Sequence, residues 1–138
     1  MSLLDKIKQR SAVVGVVGLG YVGLPLAVLQ ATTGYRVVGF DEASDKVTRV
    51  NRGENYISDV DATELRQVVH AGRLSATREF GPLRDCDVVL ICVPTPLTRN
   101  KEPDISAIVK VTRELTTYLH PDMLVILEST TYPGTTEE

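Results

Sequence analysis

The residues most able to do chemistry lie together in Gly18-Leu19-Gly20-Tyr21-Val22-Gly23. Glycines at this spacing suit a diphosphate. Gly18 permits a tight turn, Gly20 lacks the side chain that would block phosphate oxygens, and Gly23 lets a following helix pack against the preceding strand. Backbone N–H groups of Tyr21, Val22 and Gly23 then face the phosphates, with the positive end of the helix dipole behind them. The glycines alone are a weak signal, because a strand-to-helix turn can carry them and bind nothing. Asp41 strengthens it: roughly 20 residues downstream, at the end of a second apolar run, it has the place of the acid that accepts ribose hydroxyls. Glu42 beside it adds negative charge that repels a 2′-phosphate, so NAD is favoured over NADP. Lys46 is kept as a candidate cofactor contact, with a solvated helix lysine as the plain alternative.

Other chemistry is scarce. Cys86 and Cys92 form no Cys-x-x-Cys, and His70 and His120 are far from them in sequence, so no metal-ligand spacing is present. Cys92 lies within an apolar run and Cys86 just before it, which reads as two inert core or near-surface thiols. His70 has the place of a histidine at a helix end, favourable to the helix dipole, and His120 that of a solvent-side cap.

Those residues need a scaffold. Ala12-Val13-Val14-Gly15-Val16-Val17 is a short β-branched run that suits a strand covered on both faces. A helix is expected over 21–33, with Val22, Leu26 and Leu29 at helical intervals and Gly34 closing it. A second strand over 36–40 stops at Asp41, and helices follow over 44–51 and 61–71, the latter capped by Asp61. Leu74-Ser75-Ala76-Thr77 reads as a third strand, and Val88-Val89-Leu90-Ile91-Cys92-Val93 as a central one. Asp104 or Ser106 then caps a helix with an apolar face of Ile105, Ile108, Val109, Leu115 and Leu119, and the next strand covers 123–127. Strands alternating with helices, without two-residue hairpin signals, predict a Rossmann-like, doubly wound parallel α/β sheet, truncated before its final strand. Thr135 and Glu138 stand as a capping box does, so a helix is expected to begin where the sequence stops.

The bulk properties agree. A chain of 138 residues, 43% hydrophobic and 24% charged, has the make-up of one globular domain and not of a disordered or fibrous chain. Fifteen Lys+Arg, dispersed among 18 Asp+Glu, leave a net charge of −3. Nucleic acid and anionic membranes therefore have no basic patch to bind. The opening lacks a signal-peptide core and no apolar run reaches bilayer length, which makes the cytoplasm the expected location.

The full wording of the turn, Val17-Gly18-Leu19-Gly20-Tyr21-Val22-Gly23-Leu24-Pro25-Leu26-Ala27, is more specific than the glycine spacing. Together with Val93-Pro94-Thr95-Pro96-Leu97 and the closing residues 128–138, it resembles the amino-terminal domain of the nucleotide-sugar 6-dehydrogenases, the UDP-glucose/GDP-mannose dehydrogenase family. The resemblance covers essentially the whole chain. Residues 51–57 and 128–133 are similar to the branch acting on UDP-N-acetylhexosamines, UDP-N-acetylglucosamine above all.

This resemblance implies an oxidoreductase that converts the C6 alcohol of a UDP-sugar to the uronic acid in two NAD-dependent steps, through a cysteine-bound thioester, for polysaccharide biosynthesis. That cysteine belongs to a later substrate domain, and neither Cys86 nor Cys92 has its context. Residues 1–138 are thus expected to be the N-terminal NAD-binding domain, inactive without the central helix and C-terminal substrate domain. The full-length protein is expected to be a homodimer or larger. By resemblance, Pro94 and Thr95 stand at the ribose–nicotinamide end of the cofactor. Thr130 stands beside the nicotinamide and helps orient a catalytic water. Two alternatives remain: a stand-alone NAD-binding regulatory module, and the cofactor domain of a hydroxyacid or 6-phosphogluconate-type dehydrogenase.

Overall fold

The computed structural model describes residues 2–93, 99 and 105–128. Five parallel strands form one sheet in the order β3-β2-β1-β4-β5. They are β1 (Val13–Val17), β2 (Arg36–Phe40), β3 (Leu74–Thr77), β4 (Val88–Ile91) and β5 (Leu124–Leu127). The helices are α1 (Leu3–Lys8), α2 (Gly23–Thr33), α3 (Ser44–Arg52), α4 (Ala62–His70) and α5 (Ser106–Tyr118), with a 3-10 turn at Gly81–Asp85. From β1 the chain winds outward to β2 and β3, then returns to place β4 on the other side of β1. The order therefore reverses between β1 and β4, and the crevice at the carboxyl ends of those strands is where an open parallel sheet takes its ligand.

Alternation along β1 divides the core. Val14 and Val16 join Leu24, Ala27 and Val28 of α2 and Leu65 and Val68 of α4 on one face. Val17 joins Phe40, Leu83, Val111 and Leu115 on the other. Both faces of the inner strands are thus covered, which explains why β4 is apolar at every position and buried throughout.

Several expectations need adjusting. The sequence reading assigns nothing to the opening segment, whereas Ser2 caps α1 by accepting the Asp5 N–H. Lys6 of α1 then reaches Asp87 at 2.9 Å, and the other Asp87 oxygen accepts the Val13 N–H at 2.8 Å. Helix α2 begins at Gly23 and ends, as expected, at Gly34, whose φ of 119° is left-handed. Its buried side chains are Leu24, Ala27, Val28 and Ala31; Val22 and Leu26 pack half-buried against the same core, and Leu29 is exposed. The close approach of Gly23 to the turn decides this, because it sets which side of the helix meets the sheet, and the small Ala27 and Ala31 follow on that side. Helix α5 buries Val111 and Leu115, while Ile105, Val109 and Leu119 are exposed, and Ile105, at its N-cap position, makes no side-chain cap. Asp104 and the Thr135–Glu138 box lie outside the described residues.

Strand β5 pairs with β4, and all four of its residues are exposed. His120 leads into it. Its Nδ1 lies 2.8 Å from the Pro121 carbonyl and its Nε2 lies 2.6 Å from the Cys86 carbonyl. The ring is therefore a tie between the loop after α5 and the start of β4, and not a solvent-side cap.

Candidate functional site

The three glycines of the turn are needed for different reasons. Gly18 has φ of +97°, and a Cβ there would lie 2.7 Å from the Cys92 carbonyl oxygen. A Cβ on Gly23 would lie 1.6 Å from the carbonyl oxygen of Gly18. Both positions are closed by the protein's own backbone. Gly20 is different: among the described residues a Cβ there would meet nothing nearer than the Lys46 Nζ, at 4.0 Å. None of the described residues requires glycine at that point, which leaves space for a ligand above it.

Leu19, between Gly18 and Gly20, is held on three sides. Its side chain is fully buried and lies so close to Gly39 that a Cβ there would stand 2.8 Å from Leu19 Cδ2. Its N–H donates to Asp41 Oδ2 at 2.8 Å. Its carbonyl accepts the Tyr56 hydroxyl at 2.6 Å. Burial pushes the Tyr56 phenol well above its ordinary value, and the carboxylates of Asp41 and Asp45 add to the shift. The hydroxyl is thus a donor throughout the neutral range.

Asp41 ends β2 where the sequence places it, but part of its work is internal. Besides Leu19, it accepts the Ala43 N–H through Oδ1 at 2.9 Å. A carboxylate offers about four acceptor positions, so two bonds leave capacity for sugar hydroxyls. Lys46, on α3, reaches back over the turn to Gly20, which the spacing along the chain does not reveal.

A cavity of about 250 Å³ opens beside this turn, lined by Gly18, Phe40, Asp41, Phe80, Val93 and Val111 among others. Lys46, Glu42 and Lys110 also line it, and the last two form an ion pair that links the end of β2 to α5. The rings of Phe40 and Phe80 stack at 6.0 Å with an interplanar angle of 6°. Apolar walls with charged groups beside them suit a flat base joined to a polar sugar phosphate. Among the described residues no side chain caps the N-terminus of α2, and its first turn carries no acidic residue. That end of the helix is open to an anion.

The family profile for the UDP-glucose/GDP-mannose dehydrogenase NAD binding domain matches residues 12–138. The chain belongs to that family. Among its relatives it is 42% identical to UDP-N-acetyl-D-glucosamine 6-dehydrogenase of Pseudomonas aeruginosa over 125 residues, which cover 91% of this chain and 29% of the relative. The solved UDP-D-ManNAc dehydrogenase of Pyrococcus horikoshii aligns with a TM-score of 0.79 at 38% identity, over 91% of this chain and 30% of that one. An NDP-N-acetyl-D-galactosaminuronic acid dehydrogenase from Methanosarcina mazei gives a TM-score of 0.79 at 38% identity, over 99% of this chain and 32% of that one. The chain spans about a third of the length of these family members.

As the family's NAD-binding domain, the fold brings together Gly18, Gly20, Gly23, Asp41 and Lys46 around one crevice. Tyr21 is exposed, and Val22, half-buried, is the residue from which α2 starts. Pro94, Thr95 and Thr130 lie outside the described residues, although Val93 lines the cavity and Glu128 follows β5. Cys86 and Cys92 are buried free thiols. Burial pushes Cys86 up to about 12 and Cys92 up to about 11, so neither supplies a thiolate near neutral pH. No group of side chains that could hold a metal ion occurs among the described residues. No helix among them is long and apolar enough to cross a membrane.

The sequence reading missed Tyr56, Phe80 and Lys110. Tyr56 sits in a run quoted for resemblance alone, and Phe80 precedes a 3-10 turn that no periodicity marks. Lys110 has the pattern of any exposed helix lysine.

Proposed function

We propose that this chain is the cofactor half of an enzyme that oxidises the C6 alcohol of a UDP-sugar, a UDP-N-acetylhexosamine, to the uronic acid in two NAD-dependent steps. Bound NAD would accept the hydride. The chain's own residues bind and orient it. Gly20 leaves room for the diphosphate, Tyr21, Val22 and Gly23 direct backbone N–H groups to it, and the Lys46 ammonium lies alongside. Asp41 accepts the adenosine ribose hydroxyls with the acceptor positions that Leu19 and Ala43 leave open. The base occupies the cavity between Phe80, Val93 and Val111.

Pro94 and Thr95 are assigned to the ribose–nicotinamide end, and Thr130 to orienting water beside the nicotinamide, by the family resemblance of their sequence blocks. The covalent cysteine is assigned to a domain beyond this chain, in keeping with the buried, protonated state of Cys86 and Cys92. Within the whole enzyme, most contacts to the UDP-sugar come from that domain, and the assembly is a homodimer or larger in the cytoplasm.

The observation that carries the cofactor site is Gly20, the one glycine of the turn whose absent side chain leaves space that no described residue fills. Calorimetric titration of the 138-residue chain with NAD and NADP tests it. NAD should bind more tightly than NADP, and the preference should shrink in Asp41→Ala. Equal affinity for the two would overturn the ribose assignment. Adding the substrate domain and measuring UDP-N-acetylhexosamine-dependent NADH formation tests the activity.

A further inference from the structure

We propose that Tyr56 is a positioning residue for the phosphate-binding turn, its phenol fixing the Leu19–Gly20 peptide against which the diphosphate lies. The inference rests on the cofactor reading above and adds a residue to it from outside the glycine motif.

The peptide group is planar and trans, so the direction of the Leu19 carbonyl also sets the direction of the Gly20 N–H, which points the opposite way. Tyr56 Oη donates to that carbonyl at 2.6 Å, the shorter of the two hydrogen bonds that side chains make to Leu19. Asp41 restrains the preceding peptide through the Leu19 N–H, and the buried Leu19 side chain stops the residue from rotating between them. Gly20 itself has no side chain with which to resist rotation. A glycine-rich turn would be the most mobile part of this crevice, and here both of its inner peptides are held by side chains from elsewhere.

Tyr56 is itself well supported. It follows Gly53, which ends α3 with φ of +72°. Its loop is braced by the Asn55 side chain, which donates to the Val60 carbonyl at 2.8 Å and accepts the Ile57 N–H at 3.0 Å. The ring packs against the core on the α2 side of the sheet. Packing alone would be served equally by phenylalanine. Among the described residues the hydroxyl's one hydrogen bond is to Leu19, so its purpose is to be sought at the turn.

A merely structural tyrosine would alter stability without regard to what the ligand carries, whereas a positioning one affects ligands that have a diphosphate. The test compares ADP with adenosine, binding to the full chain and to Tyr56→Phe, by calorimetry. The Phe variant should bind ADP about three- to tenfold more weakly, the range expected for one net hydrogen bond, with adenosine changed less than about twofold. Replacement of Tyr56 by 4-aminophenylalanine, which keeps a donor at the same place, should restore ADP binding. Unchanged ADP affinity in the Phe variant, equal losses for ADP and adenosine, or no recovery with the amino analogue would overturn the inference. Should the Phe variant fail to fold, 4-fluorophenylalanine, which fills the hydroxyl's place without a donor, replaces it, with the same selective ADP loss expected and unchanged ADP affinity overturning the inference. A wild-type chain that binds neither ADP nor NAD would overturn the cofactor reading itself, an outcome distinct from wild-type binding that Tyr56→Phe leaves untouched.

Discussion

The carboxylate of Asp41 accepts the backbone N–H of Leu19 at 2.8 Å, joining the end of β2 directly to the turn that follows β1. The acid proposed for the adenosine ribose is therefore also bonded to the glycine turn proposed for the diphosphate. A second bond, from the Ala43 N–H, fixes the carboxylate from the other side. On the proposed assignment the two subsites share one support, and a change at Asp41 should reach both.

Asp41→Ala should consequently weaken NAD by at least about tenfold and also destabilise the chain. Two N–H groups lose a charged acceptor, and the cost of that is on the order of 1–3 kcal/mol. Urea midpoints and NAD titrations on the same preparation check both effects. A variant as stable as the wild type would contradict the double role.

Gly20→Ala and Gly23→Ala should behave in opposite ways. At Gly20 the added methyl meets no atom of the described residues closer than 4.0 Å, so stability should hold or rise by a few tenths of a kcal/mol while NAD binding falls. At Gly23 the methyl would stand 1.6 Å from the Gly18 carbonyl oxygen, so α2 must move off the sheet. A loss of several kcal/mol, or failure to fold, is the expected result there. Thermal unfolding of the two variants separates a ligand-facing glycine from a packing glycine.

His120 should make stability depend on pH near neutrality. Both ring nitrogens face carbonyl oxygens, which only accept, so only the doubly protonated ring can donate to each. The Pro121 and Cys86 carbonyls accordingly raise its pKa above the ordinary 6.5, helped by the Asp87 carboxylate and opposed by burial and the Lys6 ammonium. Because the folded value lies above the unfolded one, the contribution is complete below about pH 6.5 and is lost as pH rises through the raised value. Urea midpoints between pH 5 and pH 9 should fall over that window in the wild type, and the fall should be smaller in His120→Asn.

At the acid end Asp87 acts in the opposite sense. Burial works to raise its carboxyl, but the Val13 N–H and the Lys6 ammonium outweigh it, and the pKa lies below the ordinary value of 3.8. Its contribution is present above that value and is lost as pH falls through the lowered one. Asp87→Asn should flatten the acid limb of the stability profile, measured by the same urea midpoints below about pH 4.

Cys86 and Cys92 should resist alkylation in the native chain. With pKa values pushed up to about 12 and about 11, both remain thiols at pH 8. Iodoacetamide labelling followed by mass spectrometry should be slow without denaturant and rapid in urea. Fast native labelling of either residue would refute the reading of both as inert core groups.

Much of the fold was legible in the residues because it is decided over short distances. The apolar runs of β1 and β4, the left-handed Gly34 that stops α2 and the Asp61 cap of α4 each depend on a few neighbours along the chain. The glycine turn and Asp41 were legible for the same reason, since a strand, a turn and a helix of ordinary length leave an acid at the next strand end few places to lie. Which face of α2 is buried was not, because that depends on how closely Gly23 approaches Gly18 and not on the period of the apolar residues.

The partners of Leu19 belong wholly to the tertiary structure. Asp41 and Tyr56 come from separate elements, and each must be carried to the turn by the winding of the sheet before a hydrogen bond can form. Local backbone preference could require a turn at Gly18, but only the packing of β2, α3 and the loop after it could decide what holds that turn still. The reason is physical: φ and ψ are restricted by adjacent atoms, whereas a hydrogen bond between distant side chain and backbone exists only after the intervening chain has been ordered around a common core.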